Sequence, residues 1–145
     1  MAKRYITAQQ KKQVEKRANN LCEYCKCNRE YASHTFNIEH ITPIAAGGSD
    51  EMNNLALACS GCNGCKASRL TATDPLSKHN VALFHPRQQN WNDHFIWSSD
   101  YTEVVGLTPT GRATIDALRL NRSGVVNLRR VMLLANLHPP TENAN

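Results

Sequence analysis

The 145-residue sequence has no apolar run approaching the roughly 20 residues that a membrane-spanning helix requires. No secretory apolar segment follows Met1. These two absences predict a soluble, cytoplasmic protein with no targeting signal and no membrane partner. Internal repeats and low-complexity stretches are also missing, so one domain, with a small appendage at most, fits the length. Acidic residues are scarce toward both ends. Residues 1–30 carry eight basic and three acidic side chains, and residues 110–135 carry five arginines against one aspartate. Residues 31–109 reverse the balance, with four basic and seven acidic side chains, and the whole chain stands at +5. A polyanion held by the ends, with a cation between them, fits this pattern, as do solvated helix faces.

Cysteine, in contrast, is plentiful. Six cysteines in a chain without an export signal point to metal binding rather than to a disulfide framework. Cys22-x-x-Cys25 and Cys59-x-x-Cys62 each place two sulfurs on one side of a tight turn, and together they supply the four soft ligands of a closed tetrahedral zinc site. The long gap between the pairs must hold an inserted element. Cys62-x-x-Cys65 is a further pair of the same spacing, and Cys27 sits two residues after Cys25. The set 22, 25, 59 and 62 is preferred because the second knuckle then ends where a helix begins. Cys65 reads as a small buried side chain.

Around the thiols the pattern predicts an α+β chain. Thr7 to Asn19 reads as a helix, with Thr7 as N-cap, Gln10 as its capping-box partner, and Val14, Ala18 and Leu21 on one face. Phe36 to His40 forms a strand ended by Pro43 and the Gly47-Gly48 pair, and a loop runs to about Asn53. Leu55 to Ala58 is a second strand. A short helix follows Cys62, weakened by Gly64. Asp74-Pro75 punctuates the chain, and residues 79–87 read as irregular. Residues 94–99 and 102–108 predict a hairpin with Phe95 and Trp97 in its core. Residues 110–121 and 124–137 predict two helices, the first with Ile115, Leu118 and Leu120 on its apolar stripe and the second with Val125, Leu128, Met132 and Ala135. Residues 1–73 and 74–145 thus divide the chain into a knuckle-bearing core and an extension packed on it.

Glu39, His40, Asn54 and Asn63 are interleaved with the thiols. Read as "C-x-x-C … EHI-x-P … GG … NNL … C-x-x-C-N-x-x-K", the segment from about residue 20 to 70 resembles the zinc-knuckle form of the HNH endonucleases. Residues 75–140 bear a looser similarity to the C-terminal parts of small stand-alone bacterial members. The resemblance implies a ββα-metal core, a prokaryotic or phage source, and metal-dependent hydrolysis of DNA phosphodiesters to 5′-phosphate and 3′-hydroxyl products. It implies His40 as general base and Asn54 as the residue that pins the loop carrying it, with Asn53 as fallback. It further implies Glu39 and Asn63 as ligands of a catalytic divalent cation. A carboxylate with an amide oxygen suits Mg²⁺ or Mn²⁺, and a neutral imidazole accepts a proton near pH 7. Lys66 and Arg69, one turn apart on the predicted helix, are candidates for phosphate contacts. His85-Pro86-Arg87, Trp91 and Trp97 lie within reach of a DNA-binding reading, whereas His34, His79 and His94 have no company that gives them a role.

Adjacent strand residues face opposite sides, so Glu39 and His40 share a phosphate only where the strand ends. A non-catalytic zinc-knuckle DNA-binding protein is the rival reading. A homodimer, or a nuclease module working within a larger defence or CRISPR-type assembly, is also compatible, with Arg129 and Arg130 on the last helix able to dock either a partner or DNA.

Overall fold

Residues 6–141 are described by the computed structural model; the Met1 end and Glu142 lie outside them. Helix α1 spans Ala8–Arg17. Thr7 caps it as its sequence predicts: the hydroxyl accepts from Gln10 N at 3.0 Å, and Gln10 Oε1 accepts from Thr7 N at 2.9 Å. The helix ends two residues before the expected Asn19, because Asn19 and Asn20 take left-handed φ values of 54° and 59°. Leu21 therefore leaves the helical stripe and pairs with Asn28 in an isolated bridge. Val14 and Ala18 remain on the buried face, against Leu55 and Leu57.

Strands β1 (Phe36–His40) and β2 (Leu55–Cys59) form an antiparallel pair in which His40 faces Leu55 and Phe36 faces Cys59. Every residue of β2 is buried, which accounts for the unbroken apolar run before Cys59. Helix α2 (Ser60–Lys66) follows without a loop. The expectation that it begins after Cys62 is corrected: Cys59 is its N-cap, with Sγ accepting from Cys62 N at 3.4 Å. The knuckle is thus the first turn of the helix. Gly64 costs about 1 kcal/mol relative to alanine, and the cap together with packing on β1 and β2 outweighs it.

A small hairpin comes next, β3 (Thr71–Thr73) with β4 (Asn80–Ala82). The sequence reading leaves this stretch irregular, since three-residue strands carry too few alternations to register. Its turn is set by Asp74, whose buried carboxylate accepts from Leu76 N, Ser77 N and the Arg112 guanidinium. Arg112 also holds that carboxyl below the usual range. A single helical turn, α3 (Trp91–His94), precedes the predicted hairpin, β5 (Phe95–Trp97) with β6 (Val104–Gly106). Helices α4 (Pro109–Leu118) and α5 (Ser123–Leu134) complete the chain. Leu120 lies beyond α4, which Arg119 closes in the left-handed region, yet it is fully buried.

The extension closes over the knuckles. One core cluster joins Cys22, Cys25, Cys27, Cys59 and Cys62 to Leu83, Phe84, Phe95, Val104, Leu118, Leu120 and Val125. Phe95 is buried and Trp97 packs against this cluster, as expected of hairpin core. Polar ties reinforce the contact. Arg87 pairs with Glu23, and Trp91 Nε1 donates to Tyr24 O at 2.9 Å. These ties correct the expectation that Arg87 and Trp91 reach DNA: both side chains turn inward. Arg129 is corrected in the same way. At 2 % exposure it donates to Cys25 O, Leu120 O and Thr102 O, so it is a cross-brace and not a docking residue. Arg129→Met is expected to lower the free energy of unfolding by about 3–5 kcal/mol in urea titrations, because it strands buried carbonyls. Among the described residues, no helix is long and apolar enough to cross a membrane.

Candidate nuclease site and metal centre

Cys22 and Cys25 come from the turn after α1, and Cys59 and Cys62 from the β2–α2 junction. Their four Sγ atoms lie within 4.8 Å of one another, and all four residues are fully buried. Zinc–sulfur bonds of about 2.3 Å require tetrahedral edges of about 3.8 Å. Cys25 and Cys59 already stand 3.8 Å apart. Four buried cysteines are therefore positioned to bind a metal ion. Burial pushes the Cys22 thiol up, while hydrogen bonds led by Cys22 hold Cys25 and Cys59 far below the usual thiol range. Arg122 leans over the cluster, donating to Cys59 Sγ at 3.2 Å and Cys62 Sγ at 3.6 Å. Its burial works against the cation, but the charge of Cys62 and its neighbours prevails and keeps it protonated. Gly61 makes room, since a Cβ there would meet Arg122 NH2 at 2.4 Å. Cys65, at the far end of α2, is half-buried against the core and outside this set.

The polar constellation sits at the other end of β1. Asn54 pins the loop that leaves His40. Its Oδ1 accepts from Thr42 N at 2.8 Å, and its Nδ2 donates to Thr42 O at 3.0 Å and to Ser49 O at 2.8 Å. Gly48 completes the fit, because a Cβ would lie 1.8 Å from Thr42 O. Asn53 has no part in this clamp. Within the pinned loop, Asp50 Oδ1 lies 2.7 Å from His40 Nε2. Gln10 of α1 reaches across to donate to Asp50 O at 2.9 Å. With Nε2 committed to a carboxylate, the proton belongs there, and Nδ1 presents a lone pair. Nδ1 has no partner among the described residues.

Glu39 points to the opposite face, as strand alternation requires. It is 6 % exposed, and Oε1 accepts from Tyr24 OH and stands 3.4 Å from Lys66 Nζ. Burial pushes its carboxyl up, and Lys66 and Tyr24 pull it back. Lys66 is corrected from a phosphate contact to an interior residue: it is 2 % exposed and donates to Ile41 O at 2.9 Å. Helix α2 ends at Lys66, so Arg69 is not on it, and Arg69 NH2 is spent on Cys65 O and Ala117 O. Asn63 lies one turn before Lys66 on α2, half-exposed, its amide unbonded among the described residues. Beside these residues opens a cleft of about 310 Å³ lined by Ile41, Lys66, Arg69, Leu83, His85 and Gln88.

Sequence reasoning missed Asp50, Tyr24 and Arg122. Asp50 sits in a glycine-serine loop that reads as punctuation, and Tyr24 is hidden between the ligands of a knuckle. Arg122 lies about sixty residues beyond the thiols it serves. No local spacing marks any of the three.

A strand, a pinned loop, a second strand and a capped helix, with thiols at one end and a histidine at the other, make up a ββα unit. The family model described as HNH endonuclease matches residues 22–69, the segment that holds both Cys-x-x-Cys pairs and the Glu39, His40, Asn54 and Asn63 set. Over 107 residues the chain is also similar to the Septu protein PtuB of Bacillus thuringiensis, at 28% identity, covering 72% of this chain and 38% of that protein. The chain thus spans less than half the length of this curated relative. No solved structure matches it.

Proposed function

We propose that this chain is a metal-dependent DNA endonuclease that hydrolyses phosphodiesters to 5′-phosphate and 3′-hydroxyl ends, with a structural zinc on Cys22, Cys25, Cys59 and Cys62. One observation carries the reading. Within the segment matched as HNH, the His40 imidazole is oriented by Asp50 on a loop pinned by Asn54. A DNA-binding knuckle gains nothing from that arrangement, whereas a general base needs it. Nδ1 takes a proton from the attacking water, and Asp50 stabilises the imidazolium that results.

Glu39 and Asn63 would hold a hard divalent cation, offering a carboxylate from β1 and an amide oxygen from α2; the ion would take the place of the Lys66 ammonium, which now neutralises Glu39 at 3.4 Å. Mg²⁺ or Mn²⁺ held there would supply Lewis-acid stabilisation of charge at the phosphate. Double-stranded DNA is the favoured substrate, approached by the basic N-terminal stretch, since Arg112, Arg122 and Arg129 of the C-terminal stretch are committed to Asp74, the thiols and buried carbonyls. A module acting inside a longer protein or assembly is a second reading, favoured by the greater length of the relative.

Supercoiled plasmid incubated with Mg²⁺ or Mn²⁺ tests the proposal: nicking or linearisation is expected, and EDTA should abolish it. Tight DNA binding without cleavage under any of these conditions would sink it in favour of a binding module. Asp50→Asn is expected to lower kcat about 10- to 100-fold with KM little changed, and Asp50→Glu to recover part of the loss. An unaltered kcat in Asp50→Asn removes Asp50 from the mechanism.

A further inference from the structure

Two potential ligands remain beside the four-thiol centre. Cys27 is buried at 5 % exposure, with Sγ 3.3 Å from Cys25 Sγ. The ligand atoms of Cys27, His34 and Cys59 all lie within 4.8 Å of one another. His34 is exposed and stacks on Phe36 at a ring separation of 5.7 Å, which holds its imidazole on this side of the cluster. A cavity of about 410 Å³ opens at the same place, lined by Tyr31, Ser33, His34, Ser60, Gly61 and Arg122. His34 and Arg122, which both reach toward Cys59, thus stand on the wall of a solvent-open cavity.

We propose that Cys27, His34 and Cys59 bind a second soft divalent ion, with the Cys59 thiolate bridging it to the ion of the four-thiol centre. This rests on the structural-zinc reading of that centre. Two thiolates and an imidazole are a zinc-type donor set, and a solvent molecule entering by the cavity completes the tetrahedron. Four thiolates around one dication leave an excess of negative charge, of which Arg122 offsets only part. A second dication taken up with one further thiolate reduces that excess. A thiolate retains lone pairs after binding one metal, so Cys59 bridges once Arg122, which donates to its Sγ at 3.2 Å, yields that position. His34 is the mobile partner: it lies on the exposed side and must close from the observed spacing to bonding distance. The second ion is accordingly the weaker and more exchangeable of the two.

Metal content decides the matter, on the whole chain saturated with Zn²⁺, separated from free ion and measured by native mass spectrometry and elemental analysis. Wild type is expected to hold two zinc ions, and Cys27→Ser and His34→Ala one each. His34 is exposed, so its variant keeps the fold even if Cys27→Ser disturbs packing, and circular dichroism checks both. Brief EDTA treatment should strip wild type from two ions to one. A wild-type content of one ion at saturation overturns this inference and leaves the four-thiol centre standing. A content of zero overturns both. Two ions in wild type and in both variants also overturns it, because the second ion then sits elsewhere.

Discussion

His40→Ala is expected to slow cleavage of supercoiled DNA by about 10²- to 10⁴-fold while leaving DNA affinity and folding unchanged, which is the range a positioned general base contributes. The structure makes this substitution unusually clean. His40 is the last residue of β1, with its side chain about one-fifth exposed, and among the described residues its only side-chain bond runs to the similarly exposed Asp50. A hydrogen bond this open to solvent contributes about 0.5–1.5 kcal/mol, so losing it does not threaten the fold. The loop stays where it is, because Asn54 and Gln10 hold it through backbone atoms that the substitution leaves alone. Asn54→Ala lacks this clarity. It removes three buried or half-buried hydrogen bonds at once, and lost activity could then mean a displaced loop. Single-turnover cleavage with Mg²⁺, beside a binding isotherm on the same DNA, separates chemistry from affinity. Equal rates for wild type and His40→Ala would remove His40 from its role and, with it, the central support for the nuclease proposal.

The parts of this molecule that were legible in the sequence are those written in short spacings. The capping box at Thr7 and Gln10, the two Cys-x-x-Cys pairs and the strand ended by Pro43 each depend on residues a few positions apart, and each is found in place. Alternation along β1 also foretold that Glu39 and His40 face opposite ways. What escaped was decided by distant partners. Lys66 and Arg129 were read as surface cations because lysine and arginine are seldom buried. Their burial depends on Glu39 and Ile41 in one case and on the Cys25, Leu120 and Thr102 carbonyls in the other, none of them near in sequence. Helix α2 begins earlier than the sequence predicts for a different reason: a cysteine is not an expected N-cap, yet Cys59 serves as one while also belonging to the four-thiol set. Division at residue 73 follows composition, whereas the core cluster runs across it. A boundary read from Asp74-Pro75 marks a turn whose aspartate is itself buried against Arg112.

Removing the metal from the four-thiol centre is expected to unfold most of the chain rather than merely silence it. Apparent binding energies for structural zinc in small finger peptides are about 10–16 kcal/mol, as large as the whole net stability of an ordinary domain at about 5–15 kcal/mol. Here the centre lies inside the main core cluster, where Cys22, Cys25, Cys59 and Cys62 meet side chains from the β5–β6 hairpin, α4 and α5. Without a cation the cluster retains thiols that burial pushes up beside others held low, with Arg122 as the counter-charge directly bonded to it. Such a set is costly to keep in an apolar interior. Cys62→Ser should therefore lose both zinc and the cooperative unfolding transition, and 1,10-phenanthroline should do the same to wild type, reversibly on addition of Zn²⁺. Cys65→Ser is the matched control. It changes the same atom on the same helix, at a half-buried position outside the four-thiol set, and should cost under about 1 kcal/mol. Circular dichroism melts with parallel metal analysis discriminate the two variants. If Cys62→Ser melts like Cys65→Ser and retains its zinc, the ligand set named here is wrong.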